Sequence, residues 1–128
     1  MCWAPELLGA VGVTARVEEE QMDAVTAVSG SGPAYVFYLI EAMQEAAREL
    51  GLNETTARRL ILTTVRGAAE LCETSGEPAA LLRERVTSKG GTTAAALAVM
   101  HERKVGEHLV EAMRAACRRS RELAEPKA

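Results

Sequence analysis

Two short stretches carry residue types that could do chemistry. The first is VTSKGGTT, residues 86–93, where Gly90 and Gly91 sit between the hydroxyls of Ser88 and those of Thr92 and Thr93. An alanine-rich run of helical character follows. A helix N-terminus presents unbonded backbone N–H groups and a partial positive charge. Glycines let such a backbone approach a ligand closely, and hydroxyls add further donors. The combination can cradle a carboxylate or a phosphate. It is not a P-loop, because the G-x-x-x-x-G-K-[ST] spacing is missing and no strand precedes it. The plainer alternative is a Thr N-cap after a glycine turn.

The second stretch is SGSGPAY, residues 29–35. Its glycines do not follow the G-x-G-x-x-G dinucleotide spacing, and the segments around it read as helices. On its own it is a helix break, with Pro33 suited to the first turn of a new helix. Tyr35 and Tyr38 could offer hydroxyls to a site or anchor one end of a core ring. His101 and His108 lie near a helix–helix turn among charged residues and read as surface groups. Glu18, Glu19 and Glu20 read as solvated loop charge. No nucleophile with a matching base is evident, and the three cysteines, Cys2, Cys72 and Cys117, have neither metal nor disulfide spacing. Cys72 and Cys117 fall on apolar helix faces, where a free thiol behaves as a small hydrophobe.

The elements that must position these stretches are helical. The 128 residues suit one domain, and hydrophobic residues make up 48% while aromatics make up 3%. A core of Ala, Leu, Val, Ile and Met favours close-packed helices over sheets. The net charge of −3 is spread, and the cluster Arg114, Arg118, Arg119 and Arg121 shares its helix with acids. Neither a basic stripe nor stacking aromatics mark a nucleic-acid binder. No apolar run is long enough to span a bilayer, and the N-terminus lacks the basic region of a signal peptide. A reducing cytoplasm is the expected setting.

Along the chain, residues 4–11 read as the end of a helix, with a short extended piece near Val13 to Val17. A short helix started by Asp23 precedes the SGSG break. The helix over 33–50 is the clearest, with Val36, Leu39, Ile40, Met43, Ala46, Ala47 and Leu50 on one apolar face and Gly51 as its stop. Asn53 caps the next helix, whose stripe is Ala57, Leu60, Ile61, Thr64, Val65, Ala68, Leu71 and Cys72. Gly67 within it marks a close helix contact, and residues 75–76 end it. Pro78 opens a short helix to about residue 85. A further helix runs from about Thr92 to 103, and a last one over about 105–123 buries Leu109, Val110, Met113, Ala116 and Cys117. The fold class expected is all-α, a bundle of about five or six helices.

The two motifs together change the reading. DAVTAVSGSGPAY (23–35) and VTSKGGTT (86–93), on Ala-rich helices, resemble the C-terminal dimerisation domain of the pyrroline-5-carboxylate reductases. The resemblance runs from about Leu7 to Leu123 and takes in VEEE-x-x-DAVTA, Gly51-Leu52, Gly67-Ala68-Ala69 and Arg119-Ser120. It implies residues 1–22 as the remnant of an interdomain helix and lead-in loop. Residues 23–124 would be the helical dimerisation and substrate-binding domain, and 125–128 a tail. It implies an interlocked homodimer, with higher oligomers in some members, and no nucleic-acid or membrane partner. The family reduces 1-pyrroline-5-carboxylate to proline with NAD(P)H held by an N-terminal Rossmann domain. By this resemblance Ser88, Gly90, Gly91, Thr92 and Thr93 hold the substrate carboxylate. Thr93, also near the ring nitrogen, is the catalytic candidate. Ser29, Gly30 and Ser31 line the site.

An iminium carbon accepts hydride readily once its nitrogen is protonated, so the site must chiefly orient substrate and exclude water. This sequence departs from the family pattern in two places. Lys89 stands where the family usually has Pro, which loosens the turn and adds a positive charge. Nothing in the chain matches the glycine-rich cofactor loop, so the chain alone is expected neither to bind NAD(P)H nor to turn over. The alternative is a non-enzymatic, self-associating helical interaction module derived from the same fold.

Overall fold

The computed structural model describes residues 8–10 and 12–124. Leu8 and Gly9 are helical, and the rest of the helix expected over 4–11, like the tail 125–128, lies outside the described residues apart from the turn at Ala10. Residues 13–18 have no regular structure, and the described residues contain no strand. The remainder is helical, as the composition requires. A 3₁₀ turn, Glu19–Gln21, leads into the single-turn helix α1, Met22–Val25, and a π turn, Thr26–Gly30. Then come α2, Gly32–Glu49; α3, Glu54–Ser75; α4, Ala79–Arg85; α5, Thr92–Glu102; and α6, Val105–Ala124.

The helix ends follow local chemistry. Pro33 sits in the first turn of α2, where its missing N–H costs nothing. Gly51, at φ 85°, closes α2 with a Schellman motif. The Leu52 amide donates to the Ala47 carbonyl at 2.9 Å and the Gly51 amide to Arg48 at 3.1 Å. Asn53 caps α3 by accepting the Thr56 amide at 2.9 Å, and Gly76, at φ 65°, ends it. The helix over 33–50 and the Asn53 cap are thus where the periodicity places them.

The start of the domain differs from expectation. Asp23 does not initiate α1; Gln21 occupies the N-cap position. The Asp23 carboxylate instead accepts the Ser120 hydroxyl at 2.6 Å and faces Arg121 Nε at 3.6 Å. It fastens the beginning of the fold to the end of α6. The SGSG stretch divides the helices as expected, with a bend at Ser31 and a new helix from Gly32, but the first part does not end as a plain α-helix. It widens into a π turn closed by the Ser31 amide on the Thr26 carbonyl at 2.8 Å.

The α2–α3 hairpin holds most of the enclosed apolar contact. Ala47, Ala57 and Ile61 are buried, with Ile40, Met43 and Val65 packed against them. Ala27 of the π turn, which packs on α6, is the remaining buried hydrophobic among the described residues. Each apolar stripe expected as one face is divided. Val36, Leu39, Leu50 and Leu60 stay exposed. So do Leu109 and Val110 of α6, expected to be buried; Met113, Ala116 and Cys117 are half-buried. Gly67 makes no close helix contact within the chain, since a Cβ there would meet nothing within 4 Å. Periodicity identifies an apolar face but not what covers it.

The exposed area gives the size of this deficit. The chain exposes 10946 Å², where a compact folded chain of this length would expose roughly 6,600 Å². Surface ion pairs do not make up the difference. Arg119 with Glu122, at 2.8 Å, joins residues more than half exposed, and such pairs contribute little.

The turn between α5 and α6 carries local strain. Lys104 has φ 54°, the left-handed region that favours glycine. It serves two helices. Its amide donates to His101 at 3.0 Å, and its carbonyl accepts the His108 amide at 3.0 Å. Lys104→Gly should therefore stabilise the chain by about 1 kcal/mol, seen as a rise of about 3 °C in thermal unfolding followed by circular dichroism. An unchanged or lowered midpoint would show that the lysine side chain offsets the backbone strain.

Candidate functional site

The loop of residues 86–91 is held from its N-terminal side. Glu77 and Arg85 form a two-pronged ion pair across α4, Nη2 to Oε1 at 2.7 Å, with Nη1 bonded to Oε2. Helix α4 then runs out through the Thr87 amide on Glu84 at 3.0 Å and the Thr87 hydroxyl on Arg83 at 2.6 Å. The Gly91 amide donates to the Ser88 carbonyl at 3.0 Å, and Gly90 has φ 72°. That is the signature of a type II turn with Lys89 at its second position and glycine at its third. Proline is common at the second position of such a turn, so Lys89 fills a place whose backbone proline would suit.

Helix α5 begins immediately, with Gly91 at its N-cap in extended conformation. Thr92 and Thr93 are therefore the first two residues of the helix, and neither is the N-cap of the plainer sequence reading. Glycine has no side chain to cap with, and no side-chain bond closes this helix end. Its first amides remain available, as does the positive end of its dipole. A Cβ on Gly91 would lie 2.3 Å from Ser88 Oγ and 3.2 Å from the Ser88 carbonyl oxygen. Only glycine lets the Ser88 side chain fold over the helix start.

The hydroxyls of Ser88, Thr92 and Thr93 differ from four that are taken up along or at the end of a helix. Thr26, Thr64, Thr74 and Thr87 each donate to the carbonyl four residues earlier. Thr92 and Thr93, at the helix start, have no helical carbonyl four residues back to bond. Among the described residues the hydroxyls of Ser88, Thr92 and Thr93 make no hydrogen bond. Thr93 and Gly91 are half-buried; Ser88, Lys89, Gly90 and Thr92 are exposed. Unbonded helix-start amides, the positive end of the dipole and three unbonded hydroxyls thus all fall within residues 88–93.

Residues 29–31 lie on the π turn and are not joined to residues 88–93 by any hydrogen bond of the described residues. Ser29 and Gly30 are exposed and Ser31 is half-buried. Of the two tyrosines, Tyr35 donates its hydroxyl to the Ala27 carbonyl at 2.8 Å, while Tyr38 is exposed. The sequence did not distinguish them. Nor did it give notice of the Asp23–Ser120 bond, although both residues fall within segments that carried the resemblance.

Other groups stay outside this chemistry. His101 and His108 are exposed, as their charged surroundings suggested. Cys72 and Cys117 are free and half-buried. No group of three His, Cys, Asp or Glu that could hold a metal occurs among the described residues. None of the described helices is long and apolar enough to cross a membrane. A concavity of about 380 Å³ lies beside the α2–α3 hairpin, lined in part by Glu41, Glu45, Arg48 and Glu54, away from the loop. There the hydrogen bond from Arg48 to Glu45, at 3.1 Å, together with the guanidinium charge, holds the Glu45 carboxyl below its ordinary value. Both groups are solvent-exposed, and the pair has no bearing on the loop.

With the geometry in place, the comparisons with known proteins are specific. The family described as pyrroline-5-carboxylate reductase dimerisation matches residues 19–123. The pyrroline-5-carboxylate reductase of Haemophilus influenzae is 49% identical over 123 residues, covering 94% of this chain and 45% of that protein. That of Pseudomonas aeruginosa is likewise 49% identical over 123 residues, covering 95% of this chain and 45% of its own length. The solved reductase of Coxiella burnetii superposes with a TM-score of 0.90 at 40% identity, over 96% of this chain and 46% of that one. The Plasmodium falciparum enzyme, solved with NADP bound, gives 0.91 at 30% identity over 96% of this chain and 50% of that one. The chain spans just under half the length of the curated relatives it matches. The chain belongs to the pyrroline-5-carboxylate reductase dimerisation family.

Proposed function

We propose that this chain is the dimerisation and substrate-carboxylate part of a pyrroline-5-carboxylate reductase, which reduces 1-pyrroline-5-carboxylate to L-proline with NAD(P)H. The observation that carries this reading is the uncapped start of α5, with free hydroxyls on both sides of a glycine turn. A carboxylate is the right partner for such a place. It accepts from several N–H and O–H donors at once, and it interacts favourably with the positive end of the helix.

In this reading the amides of Thr92 and Thr93 and the hydroxyls of Ser88 and Thr92 receive the carboxylate. Gly90 and Gly91 give the loop its shape. The half-buried Thr93 hydroxyl lies next to the ring nitrogen and orients the ring. Ser29, Gly30 and Ser31 supply a further wall of the site. The described residues contain no strand and no glycine-rich strand-to-helix turn of the kind that grips a dinucleotide. In this reading the hydride donor is held by the part of the longer relatives that this chain does not span. What this chain contributes is orientation, charge complementarity and the exclusion of water. The unpaired state of Cys72 and Cys117 suits a reducing, cytoplasmic setting.

The reading includes a homodimer, because the apolar faces that α2, α3 and α6 leave open are those a second copy would cover. The exposed excess, roughly 4,000 Å² over a compact chain of this length, is in the range that interlocked subunits bury. Sedimentation at micromolar concentration should give a dimer or larger species; a clean monomer would contradict the interlocked arrangement.

Two substitutions test the carboxylate site. Thr93→Ala removes the hydroxyl oxygen that would accept from the charged ring nitrogen of proline, so binding of L-proline followed by NMR titration should weaken roughly tenfold or more. Unaltered affinity would remove Thr93 from the site. Lys89→Pro separates two effects of opposite sign. It should stabilise the fold by about 0.5–1 kcal/mol, because the type II turn already suits proline. It should also weaken proline binding and flatten its salt dependence, because a neighbouring positive charge is lost. Unchanged affinity and salt dependence would show that Lys89 does not neighbour the carboxylate.

A further inference from the structure

The π turn raises a problem that one side chain solves. In a regular α-helix the Ser31 amide would donate to the Ala27 carbonyl. Here it donates to Thr26 instead, at 2.8 Å. In the wider register the Gly32 amide would be next in line for that carbonyl, and it makes no such bond. The Ala27 carbonyl therefore lacks the donor its position in a helix would give it, and Ala27 is among the most enclosed of the described residues, at 2% exposed. A buried carbonyl without a partner is strongly disfavoured. The Tyr35 hydroxyl reaches back across eight residues and donates to this oxygen at 2.8 Å.

The turn is also held from its other side. The Asp23 carboxylate, at the base of the same segment, accepts the Ser120 hydroxyl at 2.6 Å, and α6 packs along the π turn. Between these two fastenings the chain widens from the α to the π register, with Ser29 and Gly30 exposed and Ser31 half-buried. The hydroxyls of Ser29 and Ser31 make no hydrogen bond among the described residues. Tyr38, three residues after Tyr35, is 75% exposed and provides an internal comparison.

We infer that Tyr35 is a positioning residue. Through its bond to the Ala27 carbonyl it holds the π turn open and so sets the backbone of residues 29–31 against the substrate ring. It touches no substrate atom itself. The inference rests on the reading that residues 29–31 line the site, so the test has two separate arms.

The test compares Tyr35→Phe, which removes only the hydroxyl, with Tyr38→Phe in the whole chain. The first arm reads amide hydrogen exchange. Tyr35→Phe should speed exchange at Ser31 roughly fivefold or more, while Ala57 and Ile61 in the α2–α3 hairpin keep their rates. The second arm reads L-proline affinity well below the unfolding midpoint, where a merely structural defect has no effect on it. Tyr35→Phe should weaken binding roughly fivefold, and Tyr38→Phe should change neither quantity. Unchanged exchange at Ser31 would overturn the positioning role. Faster exchange at Ser31 with unchanged proline affinity would overturn the link to the ligand and remove residues 29–31 from the site. Equal acceleration at Ser31, Ala57 and Ile61 would reduce Tyr35 to a general contributor to stability and overturn the inference.

Discussion

The constraint on which the rest of this structure depends is that its helices carry more apolar surface than the chain's own fold can cover. Nearly half the residues are hydrophobic but almost none are aromatic. Small and branched aliphatic side chains permit close helix packing but need many neighbours to be enclosed. The α2–α3 hairpin gives that enclosure to Ala47, Ala57 and Ile61 alone. Val36, Leu39, Leu60, Leu109 and Val110 lie on helices that are otherwise well formed, and each remains open. Stability of the order expected for a domain requires these faces to be covered. The second copy proposed above would supply that cover, and Gly67 would then have a neighbour it lacks within one chain.

The same constraint explains why the candidate site is built from helix ends. Helix interiors satisfy their own backbone groups, and their side chains are committed to packing. Free donors are left only where helices begin. Among α1 to α5 only α3 has its beginning closed by a side chain, that of Asn53, while Pro33 removes one donor from α2. At the start of α5 the N-cap residue, Gly91, has no side chain to offer, and a glycine turn precedes it. The Schellman stop at Gly51 and the type II turn at Lys89 and Gly90 both use glycine at positive φ. They differ in effect. The first returns the chain into a packed hairpin, and the second delivers an open helix end to the surface.

What could be read from the sequence divides along the range of the forces involved. Caps, glycine stops and the proline start act within a few residues, so α2, α3 and the turn at Gly90 were legible from composition and spacing. For the loop over 86–93 the spacing left two forms open, a capping Thr or an uncapped helix start, and the choice turned on whether Gly91 or Thr92 took the N-cap. Burial was not legible. Leu109 and Val110 occupy the same periodic stripe as Met113 and Cys117, and nothing in the spacing indicates which part of the stripe has a neighbour. The π turn was hidden for a related reason. Ser and Gly at 29–32 signal a departure from the α-helix, but the form it takes, a π turn whose Ala27 carbonyl accepts the Tyr35 hydroxyl eight residues on, has no mark in the spacing. The Asp23–Ser120 bond spans 97 residues and has no local signature.

These two kinds of feature meet at the candidate site. The α5 end of the site is local: its glycines, its turn and its uncapped amides would form in almost any context that allowed the helix to start. The residues 29–31 wall is not local. It depends on a phenol from the following helix and on a carboxylate fastened to the last one. A site assembled this way separates affinity from geometry. In the proposed reading the helix start attracts a carboxylate through charge and hydrogen bonds, which tolerate small displacements. The orientation of a flat ring is much less tolerant, because hydride transfer needs its reacting atoms aligned at close range. Rigid, long-range fastening is therefore expected on the wall that faces the ring, and that is the wall where Tyr35 and Asp23 act.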